Sequence, residues 1–166
     1  MVLTKSELID ALQNEVRILV HLTTKIDRTK LDYRPTAKQR STIELLQYMT
    51  LMGPALGAAA KAGEFDAAAW TAGEEAAKAL DFDQTVAALA KQKDTYASML
   101  ADMKDDDFRV EFEMFGMKYT RGAFFVNVVL CGHAAYRTQL FLYLKACGRE
   151  ELSTMNLWMG MDAPAS

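Results

Sequence analysis

Thr4 and Glu7, and again Ser41 and Glu44, stand three residues apart, each pair just ahead of a long run of apolar residues at three- and four-residue steps. That spacing lets a hydroxyl cap the first free backbone N–H groups of a helix while the glutamate reaches back to the cap's own N–H. A chain with two such starts and long helical stripes is committed to packing helices on helices. The first stripe predicts a helix from Thr4 to Ile26, with Leu8, Leu12, Val16, Leu19 and Ile26 on its inner side. The second starts at Ser41 and runs through Leu45, Leu46, Met49, Met52 and Leu56. Pro54 lies inside it, between Gly53 and Gly57. A proline lacks the N–H and crowds the preceding turn, so the helix is expected to bend or stop there.

A third helix is expected from Asp81 or Asp83, with Val86, Leu89, Tyr96, Leu100 and Met103 inward, ending in Asp105–Asp107, where carboxylates oppose the helix dipole. A fourth runs from Thr120 to Cys147, with Gly148 placed to terminate it. The alanine-rich stretch Phe65 to Leu80 suggests one or two short helices. Phe108 to Met114 alternates apolar and polar residues, a strand period. Phe115-Gly116 then makes a turn, and Met117 to Thr120 returns as a second strand. The tail, residues 149–166, carries Leu152, Met155, Leu157, Trp158, Met159 and Met161, and is expected to pack on the bundle or on a partner. The fold class is therefore all-α: one four-helix-bundle domain over residues 1–166, with a small β-hairpin before the last helix.

The 166 residues are 51% hydrophobic and 25% charged, with a net charge of -3. That balance is ordinary for a globular chain and does not suit a nucleic-acid binder, which is usually basic. The apolar run Ala123–Leu130 falls well short of the roughly 20 residues a membrane span needs. No segment reads as a signal peptide. Cys131 and Cys147 are sixteen positions apart on one expected helix, about 24 Å along its axis, too far for a disulfide. Both are expected as free, buried thiols in a cytoplasmic protein.

Two motifs carry a family resemblance. Leu31-Asp32-Tyr33-Arg34-Pro35, then Lys38, Arg40, Ser41 and Ile43-Glu44-Leu45-Leu46, resembles the opening of the second helix in DinB-like proteins. His133-Ala134-Ala135-Tyr136-Arg137-Thr138-Gln139-Leu140, then Tyr143-Leu144-Lys145 and Gly148, is similar to their last helix, where the usual pattern is His-x-x-His-Arg-Gly-Gln. With the helices, the resemblance covers residues 5 to 150. It implies a bundle in which three histidines, one on the second helix and two on the last, commonly hold a divalent metal. Carried over by position, these fall at Tyr48, His133 and Tyr136. Only one is a histidine. Arg137 and Gln139 match the pattern, and Thr138 stands where glycine is usual.

The altered ligand set shapes the functional expectations. A phenol is protonated near neutrality, with an ordinary pKa of about 10, and is a poor substitute for imidazole on nickel or zinc. Tyr48, His133 and Tyr136 are expected to line a small polar pocket, either a ligand site or a hydrogen-bonded core cluster replacing a metal centre. No metal or other cofactor is expected. The first reading is a DinB-like bundle without catalysis, or one binding a small ligand weakly. A metal-dependent thiol transferase or hydrolase, as the resemblance implies, is the alternative, so enzyme status stays open. A third reading is a stress-related interaction protein. It would act through a homodimer or through the segment Lys25 to Arg40, which has six basic residues against two acidic ones. His21, among apolar residues on the first helix, has no ligand partner at helical spacing.

Overall fold

A computed structural model describes residues 3–164. Four long helices form the bundle: α1 (Lys5–Thr23), α2 (Thr42–Ala62), α4 (Phe82–Leu100) and α5 (residues 121–146). A shorter helix, α3 (Ala67–Lys78), packs on the outside of α2. Within the bundle α1 and α2 each pack against both α4 and α5. Both expected capping boxes are present: the Thr4 and Ser41 backbone N–H groups donate to Glu7 and Glu44 at 2.7 and 2.8 Å. Asp81 and Gln84 make a third box, with reciprocal bonds of 2.9 and 2.8 Å.

The first helix ends at Thr23, short of the expected Ile26, and the alanine-rich stretch is one helix. Helix α4 ends at Leu100, before the expected Met103 and the acidic run. The Lys5 ammonium caps that end by donating to the carbonyls of Ala101 and Met103 at 3.0 and 2.9 Å. A basic side chain at a helix C-terminus satisfies orphan carbonyls and the dipole together.

Of the two outcomes expected at Pro54, the stop is corrected: α2 continues through it to Ala62. The proline removes the donor that would serve the carbonyl of Thr50, one turn back. Gln92 of α4 supplies it instead, its side-chain amide donating to Thr50 O at 3.0 Å and to Met49 O at 2.8 Å. The helix is repaired by its neighbour.

Helix α5 is α-helical over Arg121–Phe124, π-helical over Phe125–Leu130 and α-helical again over Cys131–Ala146. A π turn takes in an extra residue and so shifts which positions face inward. Here it lets the consecutive Phe124 and Phe125 both be fully buried, with Val129, His133, Arg137 and Leu140 following inward. The expectation of buried thiols is corrected: Cys131, two positions before buried His133 and so about 200° round the helix from it, is exposed, and Cys147 is half-buried. Burial pushes the Cys147 thiol up.

The hairpin is present as β1 (Glu111–Met114) and β2 (Met117–Thr120), antiparallel with Glu111 opposite Thr120 and Met114 opposite Met117. Phe115 and Gly116 both have positive φ, 54° and 74°, as a two-residue hairpin turn of the primed type requires. The tail packs back on α1 through a turn at Met155–Met159, using polar groups more than its apolar ones. Buried Asn156 donates to Asp162 at 2.9 Å and lies 3.1 Å from His21 Nε2, while Lys25 pairs with Asp162 at 2.6 Å. Trp158, Met159 and Met161 face solvent. Among the described residues no helix is long and apolar enough to cross a membrane.

Candidate functional site

Helix α2 supplies Tyr48, Met52 and Gly53, and α5 supplies Cys131, His133 and Tyr136 across from them. Three residues on a helix turn are near neighbours but do not point the same way. Tyr136 leans toward Tyr48, and the two rings meet edge to face at 5.1 Å and 72°. His133 is 1% exposed and reaches Tyr96 of α4, with 2.5 Å between its Nε2 and the phenol oxygen. The three positions thus divide into a tyrosine pair and a separate histidine whose polar partner is Tyr96.

Burial sets the protonation of the His133–Tyr96 pair. It pushes the Tyr96 phenol up and the His133 imidazole down to about 4, so both are neutral at ordinary pH. The phenol therefore donates to Nε2, leaving the imidazole proton on Nδ1, a buried atom with no hydrogen-bond partner among the described residues. Gly53 makes the approach possible: a Cβ there would overlap both the Tyr96 hydroxyl and His133 Nε2. Gly53→Ala recovers about 1 kcal/mol of helix propensity. It also forces two buried, mutually bonded rings apart, an overpacking cost of about 3 kcal/mol. A net loss of about 2 kcal/mol in urea denaturation is expected.

Tyr48 is held on three sides. Tyr136 is one, the edge of Trp70 from α3 is at 6.2 Å, and the Arg40 guanidinium carbon stands 3.7 Å from the ring centre. Arg40 is fixed through its backbone, whose carbonyl accepts from the Tyr143 hydroxyl at 3.0 Å. Burial, and next the Tyr136 hydroxyl, push the Tyr48 phenol above its ordinary range, while Arg40 works weakly the other way. The Tyr48 ring is a shared wall. On one side is a cleft of about 430 Å³ lined with Met52, Asn127, Cys131, Ala135 and Tyr136. On the other, under α3, is one of about 260 Å³ with Arg40, Gln47, Leu51, Glu74 and Lys78. His133 lines neither.

Sequence reasoning missed Tyr96, Gly53, Trp70 and the exposure of Cys131. Tyr96 fell on the expected inner side of its helix but gave no sign of its partner, and Gly53 read only as part of a weak spot beside Pro54. Arg137, matched to the family arginine, is 3% exposed and bound to Glu15 of α1 at 2.6 Å. Three of the six basic residues from Lys25 to Arg40 are in ion pairs: Lys25 with Asp162, Arg28 with Asp83 and Arg34 with Glu44. Among the described residues no three His, Cys, Asp or Glu side chains are grouped to hold a metal.

No family model matches the sequence, and no curated protein matches it. The crystal structure of YjoA, a DinB-like protein from Bacillus subtilis, superposes with a TM-score of 0.67 over 88% of this chain and 94% of that one, at 16% sequence identity. The chain has the DinB-like all-α bundle fold.

Proposed function

We propose that this DinB-like bundle is a non-catalytic protein that binds a small molecule weakly in the cleft beside Tyr48 and Tyr136. The observation that carries the reading is the separation of the tyrosine pair from His133. A divalent ion suits this donor set poorly. Metal binding would need phenolate from Tyr48, whose proton is held more firmly than usual, and imidazole nitrogen from His133, whose Nε2 accepts from Tyr96. The cleft offers shape, two aromatic rings and an exposed amide, which suits reversible binding better than bond cleavage. Cys131 at the rim has no basic side chain within hydrogen-bond reach among the described residues, and a thiol without one is a weak nucleophile.

Two measurements test the reading. Elemental analysis of protein purified without an affinity tag should give no stoichiometric transition metal; a full equivalent of zinc or nickel overturns it. Thermal-shift screening with small aromatic compounds should give hits in the high micromolar range that Ala135→Leu abolishes by filling the cleft. Hits that survive Ala135→Leu place binding elsewhere.

A further inference from the structure

A third cavity, about 430 Å³, lies where the N-terminal end of α1, the segment before the hairpin and the first turns of α5 come together. Its walls are apolar: Leu3, Leu8, Phe108, Ala123 and Val126. The wall is drawn in tightly, since a Cβ at Gly122 would stand 3.1 Å from the Phe108 carbonyl oxygen. Cavities of this size and lining hold small molecules rather than isolated waters.

The polar groups in its lining define the ligand. Thr4 and Thr120 spend their hydroxyl oxygens accepting from Glu7 and Ala123 as helix caps. Lys5 uses two ammonium hydrogens on the carbonyls of Ala101 and Met103, which fix its position and leave the third free. Arg109 has no carboxylate partner among the ion pairs of the described residues. Asp105 is the one acidic group in the lining. Two cations against one carboxylate suit a monoanion and disfavour a dianion such as a phosphate monoester. A guanidinium and an ammonium beside an apolar chamber recognise a carboxylate with a hydrocarbon body.

We infer that this cavity binds a medium-chain fatty acid, its chain among Leu8, Phe108, Ala123 and Val126 and its carboxylate at Arg109 and Lys5. The site shares only Asn127 with the tyrosine cleft and stands or falls apart from it.

Calorimetric titration of the full chain with hexanoate, octanoate and decanoate tests the inference. Affinity should rise about fourfold with each added methylene until the chamber is full. Arg109→Gln, at an exposed position, should weaken octanoate binding about tenfold through loss of a charge-assisted bond. Asp105→Asn should tighten it severalfold. Ala123→Leu should abolish it, while Ala135→Leu in the tyrosine cleft should leave it unchanged. The inference is overturned if octanol binds as tightly as octanoate, if Arg109→Gln binds octanoate like the parent protein, or if no fatty acid binds at millimolar concentration.

Discussion

Arg137→Ala is expected to lower the stability of the bundle by about 4 kcal/mol, in the range measured when one partner of a buried ion pair is removed. The Arg137 side chain is 4% exposed and that of Glu15 13%. The guanidinium makes a fork with Glu15, Nε to Oε2 at 2.6 Å and an Nη to Oε1 at 3.2 Å, and a further N–H donates to the carbonyl of Leu157. Its carbon stands 5.8 Å from the centre of the Trp158 ring. One side chain thus joins α5, α1 and the tail. Truncation leaves the Glu15 carboxylate with little solvent and no partner, which costs more than the pair itself contributes. Urea denaturation measures the loss. Glu15→Gln combined with Arg137→Met should cost much less than the sum of the single changes, because no charge is stranded. The tail should also become more open to trypsin after Arg149 in Arg137→Ala. A loss below about 1 kcal/mol would mean that Glu15 regains water easily and the pair is effectively a surface one.

The second large effect is acid sensitivity centred on His133. In the unfolded chain its imidazole titrates near 6.5, whereas burial in the fold keeps it neutral down to about 4. Protons therefore bind the unfolded chain more readily between these values, and stability falls with pH across that window. The contribution is fully present above 6.5 and lost as the pH drops toward 4, amounting to about 3 kcal/mol. His21 has the same sign. Burial first, and then the charge of Lys25, lower its value, with Asp162 opposing them. Denaturation at pH 7.5, 5.5 and 4.5 measures the trend, and His133→Leu should reduce the slope by nearly one proton. An unchanged slope in that variant would mean that the imidazole is not withdrawn from solvent.

The helices were legible in the sequence because their starts are written in short-range chemistry. Thr4 with Glu7 and Ser41 with Glu44 satisfy backbone groups within one turn, so no knowledge of the rest of the fold is needed. The hairpin was legible for a similar reason, with Phe115-Gly116 between two alternating runs. The site was less so. Tyr96 and His133 are 37 positions apart, and nothing local marks them as partners. Gly53 matters for what crosses it, and that depends on two other helices. The expectation of a buried Cys131 assumed that an apolar stretch of helix is buried all round, although a residue two positions before inward-facing His133 lies about 200° from it and so faces out. Position-by-position transfer of three metal ligands likewise assumed a common point of convergence, whereas His133 and Tyr136 have different neighbours.

The bond from Gln92 to the carbonyls of Met49 and Thr50 has a consequence for the order of assembly. Residues up to 62 contain the whole of α2 but not the donor that mends it at Pro54. During synthesis α1 and α2, which pack on α4 and α5 rather than on each other, emerge with this joint open, and it closes only when the chain has been made past residue 92 and α4 has docked. Helix propensity alone cannot finish α2, so its second half belongs to the same cooperative step as the arrival of α4. The bundle is in this sense sewn rather than stacked, with the closing stitch placed late in the thread.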